Sequence, residues 1–154
     1  MRRLQNQTRL QITSSAAPGV LQCTGGIAVR CITLHAHWAE AIFTLGKDVE
    51  NRSWKTSYRG PLLIHAGSKI NLNICTTLGL NPNIVRRGQI LGVVELVDCV
   101  TSSPSLWAIP GYYHWILRMP CSFVSPIPMA GQLGLYTPSM DICAHVSAAT
   151  CQLC

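Results

Sequence analysis

Apolar positions begin to recur at Cys31. The run Cys31–Leu34 is short, apolar and β-branched, which predicts a strand. Ala36–Leu45 then spaces Trp38, Ile42 and Leu45 at i, i+4 and i+7, with Ala39 and Phe43 beside them. That spacing predicts an amphipathic helix, and Gly46 is its natural stop. Val49–Trp54 alternates as a strand does, Tyr58-Arg59-Gly60-Pro61 reads as a turn, and Leu62–Ala66 reads as a buried strand. Ser68 is placed to cap a second, shorter helix ending at Gly79, and a loop follows from Asn81 to Gly88. Ile90–Val100 is the most β-like segment of the chain. Ser102–Pro110 is an irregular crossing, Tyr112–Arg118 another strand, and Leu133–Tyr136 a short last one. Pro120–Gly131 holds three prolines, which predicts that it is not a central strand. Helices fall between strands, yet several strands follow one another directly. The order predicts an α+β domain with a mixed, curled sheet rather than a doubly wound α/β fold.

The chain has 154 residues, enough for one ordinary domain. It is 48% hydrophobic and 12% charged, which excludes an intrinsically disordered chain. The longest apolar stretches, Pro61–Ala66 and Ile90–Val100, fall well short of the roughly 18–20 residues of a spanning helix, so no membrane partner is expected. The net charge of +6 is unevenly spread. Residues 1–30 carry four arginines and no acid, whereas residues 31–140 carry eight basic and five acidic residues. The overall basicity is therefore weak support for a basic binding face.

Three segments follow from this. Residues 1–30 read as a disordered or targeting-like extension, either resembling an organelle transit peptide or holding some affinity for polyanions. Residues 31–137 form the domain, and residues 138–154 a cysteine-containing tail that reads as frayed. No secretory signal is evident, and Cys31, Cys75, Cys99 and Cys121 sit in apolar segments. They read as small buried hydrophobes of a reducing, cytoplasmic compartment. Cys143, Cys151 and Cys154, with His145 near them, have the elements for zinc, but a lone C-x-x-C is poor support, and no metal or cofactor is expected.

The stretch that carries chemistry is Gly46-Lys47-Asp48-Val49-Glu50-Asn51-Arg52-Ser53-Trp54. A period of two puts Glu50, Arg52 and Trp54 on one strand face, with Lys47 where the helix stops. Lys47 and Arg52 suit a phosphate, and Trp54 a stacked base. Glu50 and Lys47 together also suit proton transfer. The bland alternative is a surface ion pair with Trp54 in the core. Tyr58 and Arg59 follow in the next turn, His65 ends the next strand, and Ser68 and Lys69 stand at a helix start that favours an anion. Glu95 lies on an apolar strand face, so it needs a cation such as Arg52 or Lys47, or else a raised pKa. His114 and the His35/His37 pair are weaker candidates. H-E-x-x-H, G-x-S-x-G, Walker and G-x-G-x-x-G motifs are missing, which disfavours metalloproteases, serine hydrolases, nucleoside triphosphatases and dinucleotide enzymes.

The Gly46-Lys47-Asp48-Val49-Glu50-Asn51-Arg52 stretch resembles the G-x-K-x-x-E-x-R signature of the ASCH domain, a branch of the PUA-like superfamily, with one residue fewer between glycine and lysine. The longer block from Glu50 to Trp54, then Tyr58-Arg59-Gly60-Pro61 and Ile64-His65-Ala66, resembles the bacterial ASCH subgroup; Gly88–Glu95 and Pro126–Gly134 extend the likeness. The resemblance implies a PUA-like small β-barrel of mixed strands with two flanking helices, and RNA or a nucleoside as ligand. It also implies an alternative, because some relatives are hydrolases: an amidohydrolase of N4-acetylcytidine, and ribonucleases. Lys47 matches the amidohydrolase lysine, but its threonine nucleophile falls on Glu50. Ala36-His37-Trp38-Ala39 stands where the subgroup has Gln-Pro-Trp-Ala. Two readings result. In the first, Lys47, Arg52, Arg59 and Lys69 hold phosphate and Trp54 or Tyr58 stacks a base. In the second, Lys47 and Glu50 are catalytic in a hydrolase acting on RNA or a modified nucleoside.

Overall fold

The structure is a computed structural model and describes residues 29–149 and 151–152. The element order is β1 (Arg30–Leu34), α1 (Ala36–Thr44), β2 (Val49–Arg52), β3 (Gly60–Ala66), α2 (Leu72–Leu78), β4 (Gln89–Val100), β5 (Tyr113–Pro128), β6 (Leu135–Tyr136), α3 (Met140–Ala148) and β7 (Cys151–Gln152). The strands join in one curled sheet in the order β2-β5-β4-β3-β1-β6, and β7 pairs with β5. β1 and β3 run parallel, because α1 and β2 lie between them in the chain, and the other pairings are antiparallel. The sheet is mixed and the fold α+β, as the element order predicts. The extension at residues 1–28 lies outside the described residues.

Apolar side chains fill both faces of the sheet. On one, Ile32, Leu62, Ile64, Leu91 and Leu96 meet Ala39 and Ile42 of α1 and Trp115 of β5. Phe43 of α1 reaches the sheet at Gly92, where an added Cβ would stand 2.8 Å from the ring and would collide with the Cys121 carbonyl oxygen. On the other face Cys31, Leu63, Ile90, Phe123 and Ile127 are covered by Val146 and Ile142 of α3. The segment from residue 138 is thus no frayed tail. Ser139 caps α3 by accepting from the Ile142 amide, and Val146 is 1% exposed. A third helix joins the expected two because an apolar sheet face otherwise meets water.

Two further expectations are corrected. β5 runs through all three prolines of the Pro120–Gly131 segment and lies centrally in the sheet. Two of the prolines sit at breaks in the register and the third at the strand's end. Pro120 follows Met119, whose φ of 50° marks an irregularity between the Glu95–Arg118 and Val93–Cys121 pairs. Pro126 lies in a second register shift, and Pro128 ends the strand. Helix α2 begins at Leu72 rather than at Ser68, because the Asn71 side chain takes the Ile74 amide and so caps it. Ser68 and Lys69 therefore stand before the helix, without an amide-rich terminus behind them.

Cys31, Cys75 and Cys99 are free thiols, as expected, and burial pushes the Cys31 thiol up to about 12. Cys121 departs from that reading, since it is disulfide-bonded. Cys143 donates its thiol to the Pro138 carbonyl and His145 bonds the Asp141 carbonyl, while the side chains of Cys151 and Cys154 lie outside the described residues. Among the described residues, no helix is long and apolar enough to cross a membrane.

Candidate functional site

The carboxyl ends of the parallel pair β1 and β3 open a cavity of about 730 Å³. The chain turns away at both ends in a linked manner. The Gly67 amide donates to the Leu34 carbonyl (2.8 Å), and the Ala36 amide donates to the Lys69 carbonyl (2.9 Å). These bonds place His35 at the head of α1 beside Ser68 and Lys69. Trp38, one turn further along α1, lines the same cavity. Beyond it come Glu50 and Arg52 of β2, and the segment Met129–Gly134 forms the opposite wall. The cavity therefore runs along the start of α1 from Lys69 to Arg52.

The β2 end is built around a desolvated ion pair. Lys47 and Glu50 are 4% and 7% exposed. Gly46, at φ +68°, turns the chain out of α1. The Lys47 amide then bonds the Ala41 carbonyl, and its ammonium donates to the Val49 carbonyl and to Glu50 Oε2 at 2.8 Å. The ammonium also stands 5.9 Å from the centre of the Trp38 ring. Glu50 Oε1 faces Arg52 Nη1 at 3.6 Å, close enough for charge attraction but too far for a hydrogen bond. Arg52 lies over Trp54, 5.6 Å from the ring centre, with its side chain 26% exposed.

The opposite wall depends on His65. Its Nε2–H donates to the Met129 carbonyl at 2.9 Å, so Nδ1 carries a lone pair, and that atom is buried without a partner. Burial lowers the pKa of His65, and the bond to Met129 opposes this more weakly. Gly131 packs so close that an added Cβ would lie 2.8 Å from Thr33 Cγ2 and 3.0 Å from His65 Cε1. Thr33 Oγ1 takes the Gln132 amide (3.1 Å) and meets the Tyr136 hydroxyl (3.2 Å). The wall is thereby tied to the strand ends that carry the cavity.

Of the residues singled out from sequence, His35, Glu50, Arg52, His65, Ser68 and Lys69 line one cavity. The others do not. Lys47 is turned inward by its two acceptors. Trp54 packs edge-on against Trp115, ring centres 4.7 Å apart, with the core beneath it. Tyr58 donates its hydroxyl to the Pro61 carbonyl and also packs on the core. Arg59 is exposed and pairs with Asp98 at 2.9 Å. Glu95 is half-buried rather than buried, and sits opposite Arg118 and Pro61 in the ladders, away from Arg52 and Lys47. The register shift between Val93 and Glu95 explains this, because it breaks the strict alternation assumed for that strand.

Sequence reading missed Trp38 as a cavity residue, since helical spacing assigns it to the core. It also missed Asn51. Its Nδ2 donates to the Trp107 carbonyl (2.8 Å), and its Oδ1 accepts from the Ile109 amide (3.0 Å) and from His114 Nδ1 (2.9 Å). Asn51 thus clamps the irregular crossing onto β2, beside the cavity. Its pairing with His114 across the β2–β5 ladder puts both on one face.

A family model for the ASCH domain matches residues 32–123, more than half of the chain. The chain belongs to the ASCH family. Activating signal cointegrator 1 of Homo sapiens is 28% identical over 120 residues, covering 66% of this chain and 21% of that protein. Its Mus musculus counterpart gives the same figures. The chain spans about a fifth of the length of these curated relatives. A crystal structure of ASCH from Zymomonas mobilis superposes with a TM-score of 0.54 at 14% identity, over 80% of this chain and 96% of that one. A point variant of the Zymomonas mobilis protein gives 0.54 at 15% identity, over 80% and 100%. These structures share the fold of the ASCH domain described above. The matched region ends at Phe123, so the Met129–Gly134 wall of the cavity lies beyond it.

Proposed function

We propose that this ASCH domain binds RNA, or a nucleotide unit of it, in the cavity between α1 and the sheet. The observation that carries the reading is the convergence of Arg52, Lys69 and the Trp38 indole on one hollow. Its volume of about 730 Å³ suits a single nucleotide with room at either end. Arg52 and Lys69 neutralise phosphate, and Trp38 supplies the stacking face that Trp54 and Tyr58 were expected to give. Lys47 acts one step back, holding Glu50 in place. The hydrolase alternative is less well supported, because the Lys47 ammonium is buried and already donates to Val49 and Glu50. A cytoplasmic setting belongs to the same proposal; the free thiols support it and the disulfide at Cys121 counts against it.

The test is fluorescence anisotropy with short single-stranded RNA over a salt series. Arg52→Ala and Lys69→Ala should each weaken binding and lower the slope of log K against log salt by about 0.7. Folded variants with unchanged affinity and slope would remove this cavity as the RNA site.

A further inference from the structure

We propose that Glu50 makes the cleft selective for a base with two adjacent N–H donors, the edge that guanine presents. The inference rests on the reading of the cleft as an RNA site and adds to it which nucleotide the site takes. A carboxylate is an acceptor only, so it reads donors and repels carbonyls and ring-nitrogen lone pairs. Glu50 sits in the cavity wall at 7% exposure. Such a group, held there without full hydrogen bonding, costs free energy that an arriving donor recovers. Lys47 fixes Oε2 at 2.8 Å and balances the charge, which locks the side chain in one orientation. Oε1 has Arg52 Nη1 at 3.6 Å and no closer donor among the described residues, so its lone pairs are open to a ligand. Oε2 keeps a second lone pair beside the one Lys47 uses. Two acceptor sites therefore stand side by side on a residue of the cavity that Trp38 also lines.

Guanine matches this with N1–H and its 2-amino group, which meet the two oxygens together. Hypoxanthine keeps N1–H but loses the amino donor. Adenine and cytosine offer an amino group next to a ring lone pair, which faces the second oxygen unfavourably. Uracil offers one N–H flanked by two carbonyls. A base–side-chain pair of this two-bond kind discriminates by roughly tenfold or more.

The experiment compares uridine octamers carrying one central guanosine, inosine, adenosine, cytidine or uridine, by fluorescence anisotropy on the full chain. The guanosine octamer should bind at least about tenfold tighter than the inosine or uridine octamer. Glu50→Gln should bring the guanosine-to-inosine ratio toward one while salt-dependent binding persists. Equal affinity for the guanosine and inosine octamers, with binding still weakened by Arg52→Ala, would overturn the selectivity and leave the RNA reading standing. Salt-dependent binding to none of the octamers would overturn the RNA reading itself. The inosine comparison uses the unaltered protein, so it decides the matter even where Glu50→Gln fails to fold.

Discussion

Replacing Lys47 by methionine tests the arrangement on which the cleft depends. Methionine keeps most of the apolar stem, so the loss is chiefly that of the ammonium. At 2.8 Å, with an effective dielectric of 20, the attraction to Glu50 is about 6 kcal/mol before desolvation is charged against it. Both groups are nearly out of water, and removing one partner of such a pair generally costs about 3–5 kcal/mol. Arg52 remains 3.6 Å from the other carboxylate oxygen and retains part of the compensation. The expected loss is therefore near the lower limit, about 3 kcal/mol. Urea denaturation followed by far-ultraviolet circular dichroism reads it directly, with the m-value unchanged. In a thermal scan it corresponds to a fall of roughly 10 °C. The double variant Lys47→Met/Glu50→Leu removes both charges and should return to within about 1 kcal/mol of the parent. A single variant losing less than about 1 kcal/mol would mean that the pair behaves as a surface pair. The desolvated carboxylate would then be refuted, and with it the fixed orientation of Glu50.

Three other outcomes are expected. His37 and His65 both have pKa values lowered from 6.5, burial being the main cause in each, with His35 adding repulsion at His37. The unfolded chain thus takes up protons that the folded chain refuses, so stability is whole above pH 6.5 and declines as pH falls below it; urea midpoints equal on the two sides of that pH would contradict the burial of these rings. Cys31, fully buried with its thiol pushed up to about 12, should resist alkylation in the native state and react once urea unfolds the chain, a contrast read by mass spectrometry. Val146→Ala should cost about 2 kcal/mol in urea melts, since it opens the contact of α3 with the second apolar face; a negligible cost would show that α3 does not cover that face.

The family signature and the elements from Cys31 to Ile64 were legible because their causes are local. Periodicity marked α1, Gly46 marked its end, and alternation placed Glu50 and Arg52 on β2. The failures have non-local causes. Prolines were read as excluding a central strand, which holds only where every ladder position must donate; register shifts in β5 suspend that requirement. Trp38 was assigned to the core because helical spacing tells which residues share a face, not which face the cavity takes. Lys47 was aimed at phosphate because spacing cannot show that its ammonium finds the Val49 carbonyl and Glu50 first.

By itself, then, the sequence determined the elements, the α+β class and the residue types gathered at the corner after α1, since each follows from neighbours within a few positions. Only the tertiary structure decided which of those groups share a cavity. Lys69 reaches it through the pairing of β1 with β3, and the Met129–Gly134 wall through the bond from His65. Contacts between residues so far apart in the chain are set by packing and closure of the sheet, which leave no local trace in the order of amino acids.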